Sequence, residues 1–165
     1  SEPDAGGVTD AGNTQDAATA DGPGIQVTVE GTTYSLTNAA RAANAGNGYS
    51  IQANHLEGTQ LTGFTILLQR DVSTSGTPSY EEPSPGTYEC GSTAPAAPYA
   101  FGRLQYTGAE GVYQYGSGAE CVIVTAFGAV GESVTGTFES TLDRVVGSGP
   151  ATITVTGSFD VVREN

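Results

Sequence analysis

Alternation of apolar and polar residues dominates the chain from Ile25 onward. In IQVTVE, Ile25, Val27 and Val29 fall on one face and Gln26, Thr28 and Glu30 on the other, and past Gly31 and Thr32 a second alternating stretch runs through Tyr34 and Leu36. Period-two patterning of this kind predicts half-buried strands, and the intervening glycine predicts a hairpin. Further strands are expected over 49–54, 61–69, 86–90, 100–106, 112–115 and 121–127, with CVIVTAF, the last of these, apolar enough to be covered on both faces. The segment 37–48, TNAARAANAGNG, is Ala-rich enough for a short helix or turn that Asn44, Gly46, Asn47 and Gly48 would end. Pro78, Pro83, Pro85, Pro95 and Pro98 make 71–100 a surface loop interrupted by the strand at 86–90.

The clearest patterns come last. In VTGTFESTL, Val134, Gly136, Phe138, Ser140 and Leu142 share one face; in ATITVTGSFDVV, Ile153, Val155, Gly157, Phe159 and Val161 do. Both contain V-T-G-[TS]-F-[ED], read as two neighbouring antiparallel strands that each need a core Phe and a glycine where backbone or a ring passes close. The turn DRVVGSGPA between them makes a hairpin. About nine short strands with frequent turn signals predict an all-β antiparallel β-sandwich over residues 25–165. Residues 1–24, SEPDAGGVTDAGNTQDAATADGPG, offer almost nothing apolar to bury and are expected to be a disordered or extended leader acting as a spacer.

Charge narrows the partners. The chain carries 18 acidic residues against 5 basic ones, a net −13, and every base is an arginine. Nucleic acid and anionic membrane surfaces both need clustered positive charge and are therefore poor partners. No apolar run reaches the roughly eighteen residues that span a bilayer. The absence of an initiator Met and of a signal peptide reads as a mature fragment, so any membrane attachment would come through a lipid anchor upstream of Ser1. Cys90 and Cys121 lack CxxC spacing and have no second pair to complete a zinc site, which favours a structural disulfide and an oxidising, exported location.

Candidate chemistry is sparse. His55, in QANHLEG, is the single histidine and has no G-x-S-x-G elbow to serve, so it reads as an ordinary surface or turn residue. Glu81 and Glu82 lie in the proline loop and read as a solvated acidic tip rather than a glycosidase pair. Calcium is the cation that the acidity and export would suit, although no D-x-[DN]-x-[DN]-G loop is present. No other cofactor is expected. Tyr113 and Tyr115 share one face of a short strand and are candidate ligand-facing aromatics. Ile25, Val27 and Val29 mark a segment that a neighbouring molecule could accept as a donated strand.

The phrases PGTYEC, CVIVTAFGAVGESVTGTFESTL and TITVTGSFDVVREN resemble the C-terminal half of bacterial lipoprotein and secreted β-sandwich domains. The acidic Asp-Ala-Gly leader is similar to the spacer that follows the lipidated cysteine in many of them. The resemblance covers about half the chain, rests on strand grammar, and supplies no catalytic residue. It implies a non-enzymatic, exported cell-surface protein with a structural, adhesive or binding role, whose partners are itself, other envelope or extracellular proteins, or glycans. Two alternatives are a self-assembling extracellular filament subunit and a carbohydrate-binding module or hydrolase.

Overall fold

The computed structural model describes residues 23–165, so the leader expected over 1–24 lies outside the described residues except for its last two. The all-β expectation holds. Eleven strands follow one another: β1 (Gly24–Val29), β2 (Thr32–Leu36), β3 (Asn38–Asn44), β4 (Tyr49–Glu57), β5 (Gln60–Asp71), β6 (Gly86–Cys90), β7 (Tyr99–Gly108), β8 (Gly111–Tyr115), β9 (Gly118–Phe127), β10 (Ser133–Gly147) and β11 (Thr152–Arg163). All of them belong to one hydrogen-bonded sheet, and that sheet is mixed rather than wholly antiparallel. Its two parallel ladders are short: Val162 and Arg163 of β11 pair with Arg41 and Ala42 of β3, and Glu89 and Cys90 of β6 pair with Phe101 and Gly102 of β7.

The pairings run in a circuit, from β11 through β3, β4, β5, β7 and β8 to β10 and back to β11. Strand β9 fills the other half of the β10 edge, with β6 beyond it, while β1 and β2 extend outward from β11. Inward residues of every strand merge into one apolar core that includes Val27, Leu36, Ile51, Ile66, Leu104, Val122, Leu142 and Val155. Across this interior Phe64 of β5 stacks on Phe138 of β10, with ring centroids 4.5 Å apart.

Strands β10 and β11 solve a packing problem reciprocally. Gly136 is paired with Phe159, and Gly157 with Phe138, so each phenylalanine lies over the other strand's glycine. A Cβ on Gly136 would meet the Phe159 ring and the Ile123 carbonyl; one on Gly157 would meet the Phe138 ring and the Gln26 carbonyl. The inward set predicted for both strands is the observed one, with Thr137, Glu139, Thr152, Thr154 and Asp160 turned out to solvent.

Two local expectations fail. The Ala-rich segment is strand β3, because a short helix there would leave its backbone unpaired beside β4, whereas the ladder to Tyr49–Asn54 satisfies it. Tertiary pairing overrides the helix propensity of alanine, and Ala42 is fully buried beside Ile51. Strand β9 is covered on one face only: Cys121, Val122 and Val124 are buried, but Ile123 is 40% exposed. Flanked by β6 and β10, it has no layer over its outer side among the described residues.

Cys90 and Cys121 are bonded, with Cα atoms 5.8 Å apart. The bridge lies against Gly102, where a Cβ would come within 3.2 Å of Cys90 Sγ, so β7 passes directly beneath it. At the opposite seam, Arg163 is almost fully buried at the end of β11. Its Nη1 donates to Gly128 O at 3.0 Å, its Nη2 donates to Tyr49 Oη at 2.8 Å and to the Glu82 carboxylate, and its guanidinium lies 5.2 Å and 4.9 Å from the Tyr49 and Phe127 ring centroids. One side chain thus ties β11 to β4, to the proline loop and to the β9–β10 turn.

Replacing Phe138 by Ala is expected to lower unfolding stability by about 3–5 kcal/mol, and Gly157→Ala by about 1–3 kcal/mol through overpacking, both read from urea titrations. Loss of less than about 1 kcal/mol in either would contradict the packing described. Reduction of the disulfide is expected to lower stability by about 3–4 kcal/mol on the chain-entropy model while leaving the β-sheet circular dichroism in place, since the core does not depend on it.

Candidate binding groove

The outer surface of β3, β4, β5, β7 and β8 carries side chains in rows set by register. Arg41 pairs with Gln52, Gln52 with Thr65, Thr65 with Gln105, and Gln105 with Gln114, giving a polar row five strands wide. Gln114 Nε2 donates to Gln105 Oε1 at 2.6 Å, and with its amide turned to bond, Gln52 Oε1 accepts from Arg41 Nε and Nη2 at 3.0 Å each. The neighbouring row is Ser50, Leu67 and Arg103, and on the other side Asn54, Gly63 and Thr107. Alternation in β4, β5 and β7 produces this face directly, because their inward residues Ile51, Ala53, Phe64, Ile66, Leu104 and Tyr106 form part of the core.

A groove of about 380 Å³ runs over this face, lined by Ser50, Thr65, Leu67, Arg103, Gln105, Gln114 and Tyr115 among others. A smaller hollow of about 170 Å³ continues it past Gln52, Asn54 and Thr107, sharing Thr65 and Gln105. Gly63 keeps its floor open, for a Cβ there would meet nothing closer than 3.9 Å. Arg103 is held at one side by donating to Ser92 O at 3.2 Å and by lying 5.7 Å from the Phe101 ring centroid. The lining combines amides, hydroxyls, a guanidinium, one phenol and the aliphatic residues Ala45, Leu67 and Leu104. Among the described residues it holds no carboxylate, histidine or cysteine that would exchange a proton near neutral pH.

The predicted aromatic pair is divided. Tyr113 is 2% exposed and lies in the core beside Tyr106, so it is no surface platform; alternation places it inward because its ladder partner Tyr106 is inward. Tyr115 ends β8 with φ 84°, in the left-handed region, and its side chain lines the outer groove instead. Ile25, Val27 and Val29 are core residues of a strand already paired on both sides, with β11 and β2 of its own chain. His55 lies in β4 opposite Thr62, away from the groove.

Glu81 and Glu82 are not a free acidic tip: Glu81 pairs with Arg70 at 2.9 Å and Glu82 with Arg163. Their arginine partners come from β5 and β11, and sequence spacing gives no hint of either. Among the described residues no group of three or more His, Cys, Asp or Glu is placed to hold a metal ion. No family model matches the chain, and no curated protein and no solved structure matches it.

Among the described residues one acid, Asp71, has its carboxyl held below the ordinary range. Asp71, at the end of β5, accepts from the backbone N–H groups of Ser73 at 2.8 Å and Ser79 at 3.1 Å, which pins the start of the proline loop. The Ser73 backbone bond leads in holding its carboxyl below the usual range; burial opposes this, and bonds from the Ser73 hydroxyl and Ser79 backbone add to it. A depressed folded pKa contributes stability that is complete above the unfolded value and is lost as pH falls through the folded one. Wild type is therefore expected to melt above Asp71→Asn at neutral pH, with the difference shrinking as pH drops below the ordinary carboxylate range. Equal melting temperatures at neutral pH would contradict the assignment.

Proposed function

We propose that this chain is the β-sandwich binding domain of an exported bacterial cell-surface protein, and that it works without catalysis by holding a glycan along the outer groove. The observation that carries the reading is the Arg41–Gln52–Thr65–Gln105–Gln114 row beside the hollow. Side-chain amides both donate and accept, which suits sugar hydroxyls, while Leu67 and the Tyr115 ring offer apolar surface to the C–H faces of a pyranose. A lining without a carboxylate or histidine supports binding over hydrolysis. The stack of Phe64 on Phe138, from strands that do not pair with each other, supports a flattened circuit in which β3, β4, β5 and β7 face β1, β11, β10 and β9 as two layers. The disulfide supports export.

A second reading, self-assembly by strand addition, is favoured by β2. Among the described residues Thr32–Leu36 pairs with β1 alone and so presents an edge that a strand from another copy would extend.

Affinity electrophoresis through gels containing neutral or acidic polysaccharides tests the binding reading. Migration is expected to slow in at least one polysaccharide, and Gln105→Ala with Gln114→Ala is expected to abolish the retardation without moving the melting temperature. Unretarded migration across the panel, or retention unchanged by the double variant, would overturn it; sedimentation of the wild type as polymer would favour the second reading.

A further inference from the structure

Three hairpin turns meet at one end of the interior: β1–β2 around Glu30, β7–β8 around Glu110, and β10–β11 from Ser148 to Ala151. They are tied to their neighbours by backbone. Ser148 N and Gly149 N both donate to Glu110 O, at 3.0 and 3.1 Å, and Thr154 N donates to the Glu30 carboxylate at 2.6 Å. Between them opens a cavity of about 300 Å³, separate from the outer groove, lined by Tyr34, Tyr106, Tyr113, Glu30 and Glu110 among others.

The rings are not stacked. Tyr34 and Tyr106 have centroids 6.4 Å apart and are tilted by 40°; Tyr106 and Tyr113 are 6.3 Å apart and tilted by 38°, so the three phenols form a curved wall. Burial and the neighbouring Tyr34 hydroxyl, followed by Tyr113 and Glu110, push the Tyr106 phenol well above its ordinary pKa, so that ring remains neutral. The Tyr113 hydroxyl is fully buried and has no hydrogen-bond partner among the described residues, although a buried phenol normally finds one. It borders the same small space as Glu110 Oε2: a Cβ on Gly149 would meet both, the carboxylate oxygen at 3.0 Å. No Arg, Lys or His lines the cavity to neutralise its carboxylates.

We propose that this cavity is a receptor for the quaternary ammonium group of a small organic cation. The faces of aromatic rings attract a weakly hydrated cation within about 6 Å of their centroids. Two carboxylates at the mouth add attraction that a neutral ligand of the same shape would not feel. A hard metal ion, which needs about six oxygen ligands, is a poor fit to a wall of rings. The proposal stands apart from the glycan reading, because no residue lines both cavities.

Isothermal titration of the full chain with choline, beside its uncharged isostere 3,3-dimethylbutan-1-ol at matched ionic strength, tests this directly. Tyrosine emission gives a second readout, since the protein has no tryptophan. Saturable choline binding is expected, about tenfold or more tighter than binding of the isostere. Glu110→Gln, on the exposed rim, and Tyr34→Ala, half-buried, are each expected to weaken choline at least about threefold with the fold intact by circular dichroism. The Gln105→Ala, Gln114→Ala double variant should bind choline as wild type does, which separates failure here from failure of the groove. Three results would overturn the proposal: no saturable choline binding, equal affinity for the uncharged isostere, or unchanged affinity in both folded single variants.

Discussion

The ladder between β10 and β11, with a phenylalanine of each strand laid over a glycine of the other, is the contact on which the rest of the structure depends. Strand β11 carries β1 and then β3 along its far edge, and β10 carries β9 and then β8 along its own. Phe138 also reaches across the interior to Phe64, so the ring that fixes the hairpin fixes the opposite side of the core as well. The glycines are required by this arrangement: a side chain at either would compete with a ring and a carbonyl for the same space. Aromatic rings settled over strand glycines combine large apolar burial with close backbone approach.

The sheet is weakest where it is parallel, at β11–β3 and at β6–β7, because each parallel ladder pairs only two residues from each strand. Each of those places has a side-chain clamp. Beside β6 and β7 it is a disulfide packed on Gly102: Cys90, paired with Gly102 of β7, is bonded to Cys121 of β9. At β11 and β3 it is ionic and aromatic, with Arg163 held among Glu82, Tyr49, Phe127 and the Gly128 carbonyl. The acidic proline loop is therefore fastened to the strands by arginines from β5 and β11. Burial favours loss of the Arg163 charge, but Glu82 and Tyr49 outweigh it and the guanidinium stays protonated.

Local patterning made much of the fold legible. The faces of β10 and β11, their pairing, the strand at Gly86–Cys90 and the cysteine bridge all follow from alternation, glycine placement and cysteine spacing. What was not legible is set by distant pairing. Ala40–Ala43 has helix propensity, and β4 makes it a strand. Ile123 is apolar yet exposed, because among the described residues no layer covers β9. Tyr113 and Tyr115 part company because Tyr115 ends its strand in a left-handed conformation. The outer row draws Arg41, Gln52, Thr65, Gln105 and Gln114 from five strands, and their alignment is a matter of register that single-strand patterns do not encode. An outward Arg, Gln or Thr in each was the available signal, though ordinary solvent-facing strands carry the same signal.

The two hollows differ in chemistry because they occupy different faces of the strands they share, β7 and β8. The outer groove is built from outward amides and hydroxyls, the inner cavity from inward phenols at the end where three turns leave the core uncapped. Both rely on β7 and β8 being held in register with β10, hence on the hairpin beneath. Native-state hydrogen exchange measured across a denaturant series tests that dependence most directly. Amides of Thr135–Thr141 and Thr154–Asp160 are expected to be the slowest in the protein and to exchange only through global unfolding; local opening of these amides while those of β4 and β5 remain protected would contradict the account.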